Sequence, residues 1–240
     1  MRICIFDTET TGLPSREITP PMPNNIHLWP HIVQFSYIIY DTDKDDSSKP
    51  SKIVTLKDYI IQMKPGIIIP EVTSNIHGIT NEISQVNGVD IELVLEEFIT
   101  HIEDVDLIVA HNYQFDKNMT CAEILRLPGD TSIELKKKHH SFEVMRNMSR
   151  YYCTCEKSRT TCKIKAINKS GKEYTKSPSQ TELCEFFFGF RPLDMHNSLN
   201  DITICLLNFH KLYFDRDIRK ESTKLNDMIS KLIPDQYPKV

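Results

Sequence analysis

The chain lacks a long apolar run, an even set of cysteines and any excess of basic residues. Its 240 residues hold no apolar stretch long enough to cross a bilayer. The start, Met1–Phe6, meets Asp7 before an apolar region of signal-peptide length can form. The seven cysteines are odd in number and mostly scattered, which argues against a disulfide framework. We therefore expect a protein of a reducing compartment, cytoplasm or nucleus, that is neither secreted nor associated with a membrane.

The remaining composition is that of an ordinary globular protein. Hydrophobic residues make up 40% of the chain and charged residues 26%. The length suits one large domain. We expect that domain to span residues 1–215, followed by a helical tail at 216–240.

Apolar periodicity predicts a mixed sheet with helices on both of its faces. Alternation predicts a strand at 3–9 with both faces buried, and β-branched and aromatic content predicts further strands at 32–40, 53–63 and 107–110. Residues 15–30 are interpreted as a loop and 41–50 as a hairpin turn. Helical spacing predicts three helices: one from Val89 to about His101, one carrying Phe115 and ending at Pro128-Gly129, and one from Leu199 to Tyr213.

Residues 153–177 do not fit this alternation. The segment carries Cys153, Cys155 and Cys162 and then a lysine-rich stretch with a turn at Ser170-Gly171. We interpret it as a basic hairpin inserted between two helices, which could grip phosphates. The three cysteines, with His139 and His140 upstream, could bind zinc, although Cys-x-Cys is a poor match to the usual ligand spacing. Ordinary buried thiols are the other interpretation.

Four carboxylates and one histidine form three short blocks that carry the chemistry. Carboxylates mass at one point only when a cation lies between them, because bare ones cannot all stay ionised at close range. Asp7 and Glu9 share one side of the first strand, roughly 7 Å apart. Asp116 lies one turn into its predicted helix, and Asp201 lies five residues after His196. That spacing puts Asp201 on the last helix and His196 on the loop before it.

These blocks, in this order, resemble the DEDDh branch of the DnaQ-like 3′→5′ exonucleases, a family within the RNase H-like α/β fold. The resemblance covers most of residues 1–213 and includes Ile76–Thr80. It implies two divalent cations, Mg²⁺ or Mn²⁺, held by Asp7, Glu9, Asp116 and Asp201, with Asp7 bridging the two.

The same resemblance implies the remaining roles. His196 would take a proton from the attacking water, and Thr10, His77 and Asn112 would hold the terminal nucleotide. The expected substrate is a nucleic acid 3′ end, with single-stranded or frayed DNA favoured and nucleoside 5′-monophosphates released. A net charge of −4 favours a short footprint on that strand.

Two alternatives to this function stay open from the sequence alone. The enzyme could be an exoribonuclease that trims RNA or short oligoribonucleotides, because DNA and RNA differ here only by a 2′-hydroxyl in the pocket. The chain could be a catalytically silent module that binds nucleic acid or docks on a polymerase. A homodimer partner is equally undetermined.

Overall fold

The computed structural model describes residues 1–15, 20–46 and 48–238. Its strands are β1 to β7, at Arg2–Thr10, Ile32–Asp41, Lys52–Ile60, Leu107–Ala110, Tyr151–Cys153, Lys165–Ile167 and Glu173–Thr175. Its helices are α1 to α9, at Glu71–His77, Asn81–Asn87, Ile91–Glu103, Tyr113–Arg126, Ser132–Arg146, Thr154–Cys162, Gln180–Phe188, Ser198–Phe214 and Thr223–Ser230. Residues 16–19, 47 and 239–240, which belong to the predicted loop, turn and tail, lie outside the described residues.

The main sheet has five strands in the order β3-β2-β1-β4-β5. β1 pairs with β2, and β2 with β3, in antiparallel fashion. β1 pairs with β4, and β4 with β5, in parallel. Among the described strands, β6 and β7 form a separate two-stranded sheet. β1 is therefore the middle strand. Its C-terminal end extends beyond the end of β4, so β4 does not cover it there.

Alternation along β1 divides the interior into two cores, one on each side of the sheet. Cys4 and Phe6 belong to the core that contains residues of α3 and α4. Ile3 and Ile5 belong to the core that contains residues of α8 and the C-terminal segment. Both sets of side chains are fully buried, as expected for a central strand. The predicted mixed sheet with helices on both faces, the RNase H-like class, is confirmed.

Two predicted boundaries are wrong by a few residues. β3 ends at Ile60 rather than Met63, because the chain then forms a bridge between Ile61 and Val89. Val89 is consequently outside the third helix, which begins at Ile91 after Asp90 accepts a hydrogen bond from the backbone N–H of Glu92.

The predicted basic hairpin is shorter than the segment assigned to it. Cys153 ends β5 and is therefore part of the main sheet. Residues 154–162 then form α6, in which Thr154 and Ser158 are buried. Only β6, β7 and their turn form the hairpin, and it does lie between two helices, α6 and α7.

The C-terminal segment contains the predicted helix, α9, and it packs on the core. Ile218, Leu225 and Ile229 are buried in the same core as α8. The backbone oxygen of Glu221 also accepts a hydrogen bond from the N–H of Ser51, 3.1 Å away. The division into a domain at 1–215 and a tail at 216–240 stays a prediction. No helix in the described part of the chain has the length and apolarity that a membrane crossing requires.

Candidate active site

Three carboxylates meet at the open end of β1. Asp7, Glu9 and Asp201 each offer an oxygen, and these oxygens lie within 4.8 Å of one another. Asp7 and Glu9 follow Ile3 and Ile5 on the α8 side of β1, since side chains two residues apart share a face. α8 brings Asp201 to them from its first turn.

The start of α8 is well defined. The side chain of Asn197 accepts a hydrogen bond from the N–H of Leu199 and caps the helix. An acidic residue in the first turn is favoured by the partial positive charge of a helix N-terminus. Local sequence and tertiary packing therefore agree on the position of Asp201.

Asp116 reaches the same end of β1 from the other face of the sheet. It is buried in the first turn of α4, as predicted. Its Oδ1 accepts two hydrogen bonds from Thr8, one from the backbone N–H at 3.1 Å and one from the hydroxyl at 2.9 Å. Asp116 is outside the group of three, yet its charge acts directly on Asp7. The other three predicted carboxylates are thus arranged around Asp7.

The pKa values of all four carboxyls are raised. Burial raises the pKa of Asp7 well above its usual range, and the charges of Asp116, Asp201 and Glu9 raise it further. Burial raises the pKa of Asp116 to about 8, although the Thr8 hydrogen bonds oppose the shift. It likewise raises the pKa of Glu9 to about 7 and that of Asp201 to about 6. Such a cluster is costly when ionised and favourable around a cation.

His196 lies on the loop before α8, as predicted. Its backbone N–H donates to Oδ2 of Asp201 at 2.9 Å, and its own charge lowers the pKa of that carboxyl. The residue is exposed and has a left-handed backbone with φ of 68°. Its ring makes no hydrogen bond to the described residues. An imidazole so placed is tied to the acidic group by its backbone while its ring stays open to solvent and substrate.

The three residues predicted to hold a terminal nucleotide differ in their burial and in their hydrogen bonds. Thr10 is the last residue of β1 and is buried, and its hydroxyl donates to the Gly12 carbonyl at 2.6 Å. His77 ends α1 and is buried. Burial lowers its pKa, and the neighbouring backbone of Thr10 opposes that shift. Nε2 of His77 has no partner among the described residues. Asn112 is exposed just before α4, with φ of 73°.

Gln180 is a site residue that the sequence interpretation missed. Its Nε2 donates to Oδ1 of Asp201 at 3.2 Å, and its Oε1 is buried without a partner in the described part of the chain. Its backbone oxygen accepts a hydrogen bond from Asn208 of α8 at 3.1 Å. The pattern Ser179-x-x-Glu182, which forms a capping box, marks the start of α7 in the sequence. The contact with Asp201 itself has no sequence signal.

His111 has a structural rather than an open position. Its Nε2 donates to the Pro178 carbonyl at 3.1 Å, and its Nδ1 accepts from the Thr154 hydroxyl at 2.9 Å. Burial lowers the pKa of His111 to about 4, so the ring is neutral and can make both bonds. The loop between β4 and α4 is thereby joined to the segment that leads into α7.

Among the described residues, the cysteines belong to no group of three or more metal-ligating side chains. Within residues 1–15, 20–46 and 48–238, Asp7, Glu9 and Asp201 are the only group of three or more acidic, histidine or cysteine residues with clustered ligand atoms. Cys153 is buried in the core, and all seven cysteines are free thiols. Of the two interpretations left open by the sequence, the structure favours ordinary thiols.

Comparison with known proteins gives one family and one fold. Residues 4–209 match the family model described as Exonuclease. Among solved structures, E. coli Exonuclease I in complex with a dT13 oligonucleotide has a TM-score of 0.55 at 13% identity, over 88% of this chain and 41% of that chain. Exonuclease I from Methylocaldum szegediense, described as moderately thermophilic, has a TM-score of 0.54 at 16% identity, over 91% and 42%.

These likenesses concern the fold, because the identities are low. The chain spans less than half the length of the Exonuclease I chains that it matches. No curated protein sequence matches it significantly.

Proposed function

Because this chain belongs to the exonuclease family, we propose that it is a metal-dependent 3′→5′ exonuclease that releases nucleoside 5′-monophosphates from DNA. The carboxylate group at the end of β1 is the observation that carries the proposal. Three carboxylate oxygens within 4.8 Å of one another, with raised pKa values, suit a hard divalent cation. All seven cysteines are free thiols, which supports a reducing compartment as the site of action.

We infer that Asp7, Glu9, Asp116 and Asp201 together would hold two divalent cations, Mg²⁺ or Mn²⁺. The charges of the other three carboxyls all act on Asp7, which supports a shared site around it. Bound cations of this kind activate water and stabilise the leaving 3′ oxygen. The protein would hold Asp7 between the two cations. Thr8 orients Asp116 and Gln180 orients Asp201 through hydrogen bonds.

His196 would act as the general base. It would accept a proton from the water that attacks the terminal phosphodiester, and the 3′ hydroxyl would leave with the shortened strand. Its ring is free of intramolecular hydrogen bonds among the described residues, so no contact has to break first. A loop position also allows the ring to approach after substrate binds.

Thr10, His77 and Asn112 would hold the terminal nucleotide. Nε2 of His77 is a buried polar atom beside the end of β1 that meets no hydrogen-bond criterion with any described residue, and such atoms are costly unless a ligand satisfies them. Asn112 lies between β4 and α4, and because β4 runs parallel to β1 it follows the same end of the sheet.

The test compares 5′-end-labelled single-stranded DNA, duplex DNA and RNA with Mg²⁺ or Mn²⁺, and with Asp7→Asn as the matched inactive variant. We expect a ladder of strands that shorten from the 3′ end, with single-stranded DNA cut fastest. Shortening from the 5′ end would contradict the polarity. Faster cleavage of RNA would contradict the substrate and leave the reaction type intact. Equal cleavage by Asp7→Asn would show that another protein in the preparation is responsible.

A further inference from the structure

A short segment of the chain has a charge opposite to that of the whole. The basic hairpin, as the structure defines it, is residues 163–176. It comprises β6, β7, their turn and the flanking lysines. It contains five lysines and one glutamate, whereas the full chain has a net charge of −4. The segment is therefore a local positive feature on an acidic protein.

Three of these lysines are not engaged by the protein. Lys165 forms an ion pair with Glu173 at 2.9 Å, and Lys176 forms one with Glu182 of α7. Lys163, Lys169 and Lys172 are exposed, and their ammonium groups have no hydrogen bond or ion pair with any described residue. Exposed ammonium groups without partners are available to phosphates.

The basic hairpin also presents large apolar side chains to solvent. Tyr174 on β7 is 47% exposed and Ile167 on β6 is 74% exposed. Tyr174 pairs with Ala166 across the ladder, so no bulky neighbour covers its ring from the opposite strand. An exposed aromatic ring between lysines is the combination that binds single strands without sequence preference, since bases stack on the ring while lysines contact phosphates.

The basic hairpin is attached at the rim of the candidate active site. Two residues beyond it, the Pro178 carbonyl accepts the hydrogen bond from His111. Two residues further, Gln180 contacts Asp201. Only residues 177–179 thus separate the basic hairpin from a side chain that contacts the carboxylate group.

We propose that the basic hairpin binds the sugar-phosphate backbone of the same nucleic acid strand, several nucleotides upstream of its 3′ end. This rests on the proposed function, because it takes the carboxylate group as the place where the strand ends. Electrostatic attraction there would offset the repulsion between phosphates and the acidic remainder of the surface. Long strands would gain affinity from the contact, and a dinucleotide would not.

The length of strand needed follows from the chain. Ser170, at the tip, is ten residues from Gln180, and ten extended residues span at most about 35 Å. A 12-nucleotide strand covers that distance at about 3.4 Å per nucleotide. A 12-mer is therefore long enough to reach the tip at any position that the chain allows, whereas a dinucleotide spans only about 7 Å.

The test uses the double variant Lys169→Gln/Lys172→Gln in the full chain. Both residues lie in or beside the exposed turn, so folding should be unaffected. The matched control is Lys220→Gln/Lys224→Gln, which removes the same charge from two exposed lysines. These two lysines lie close in the chain to Glu221, whose backbone oxygen accepts a hydrogen bond from the N–H of Ser51. Ser51 precedes β3, at the opposite end of the sheet from Asp7.

Two measurements are made on each protein. The first is fluorescence anisotropy of a labelled single-stranded DNA 12-mer at several salt concentrations in chelator, which needs no catalysis. The second is hydrolysis of the 12-mer and of a dinucleotide with Mn²⁺.

We expect the hairpin variant to bind the 12-mer roughly tenfold more weakly, with a salt slope smaller by about 1.4 for two lost phosphate contacts. Dinucleotide hydrolysis and the control variant should match the wild type. Equal 12-mer affinity in wild type and hairpin variant would overturn the proposal. So would an equal loss in the control, which would reveal a general effect of net charge, or an equal loss on the dinucleotide, which would reveal a structural role. If wild type hydrolyses nothing while 12-mer binding still depends on the hairpin, the proposed function fails and this inference stands.

Discussion

Replacing Asp7 by asparagine should stabilise the metal-free protein while it abolishes hydrolysis. Asp7 faces Glu9 and Asp201 with carboxylate oxygens within 4.8 Å, a separation at which two unit charges repel by about 3 kcal/mol at an effective dielectric constant of 20. In bulk water the repulsion falls to about 1 kcal/mol. Because these carboxyls partly retain protons near neutrality, we expect a net gain of about 2 kcal/mol from Asp7→Asn at pH 8.

The gain should depend on pH with a defined sign. The pKa of Asp7 is raised in the folded protein, so the folded state holds the proton more tightly than the unfolded state. The contribution of the Asp7 carboxyl to the free energy of unfolding is then greatest below about pH 4, the ordinary pKa of an aspartate. That contribution is lost as the pH rises. Asp116, whose raised pKa is about 8, contributes in the same way, so the loss of stability continues up to about pH 8. The advantage of Asp7→Asn should therefore be small at pH 4 and largest at pH 8.

Thermal unfolding in chelator at both pH values measures this effect. For a chain of this size, 1 kcal/mol shifts Tm by roughly 2–4 °C, so Asp7→Asn should unfold about 4–8 °C higher at pH 8. Added Mn²⁺ should raise the Tm of wild type and leave that of the variant nearly unchanged. The control is Asp227→Asn, which removes an equal charge from an exposed position on α9. A variant less stable than wild type at pH 8 in chelator would refute the electrostatic account of the site.

Three other substitutions test the roles of single residues. His196→Asn keeps a residue that tolerates the left-handed backbone and should lower turnover by roughly 10²–10⁴-fold with little change in strand affinity; near-normal turnover would remove the histidine from catalysis. Gln180→Leu removes the hydrogen bond to Asp201 and should weaken Mn²⁺ binding by roughly 10–100-fold in calorimetry, whereas unchanged affinity would make that contact incidental. Thr8→Val removes the hydroxyl that stabilises ionised Asp116, so the pH profile of activity should shift upward; an unshifted profile would contradict this.

Much of the site could be predicted from sequence because its residues lie on regular elements. Period-two alternation in β1 places Asp7 and Glu9 on one face, and helical geometry separates Asp201 from His196. Both arguments need only local backbone geometry, and the element bounds agree with them. The buried alternation also identified β1 as a central strand.

Other parts could not be predicted because tertiary contacts decide them. α5 was not predicted, since a run of lysines and histidines obscures its apolar face. In the structure, Lys137 pairs with Glu96 of α3, and the Thr131–Glu134 capping box begins the helix. The bond between Gln180 and Asp201 joins residues 21 positions apart through the packing of α7 on α8, and no local pattern encodes that.

The independence of the small two-stranded ladder makes this protein suited to engineering by segment exchange. A backbone hydrogen bond from the Lys176 N–H to the Ile164 carbonyl, 2.9 Å long, joins the two ends of this ladder. The ladder shares no hydrogen-bonded strand with the main sheet, so changing its length shifts no register there. Doubling the length of a flexible loop costs only about 0.6 kcal/mol. The turn at Ser170-Gly171 is consequently an attachment point for a reporter or a recognition sequence that leaves the strands supporting the carboxylates unchanged.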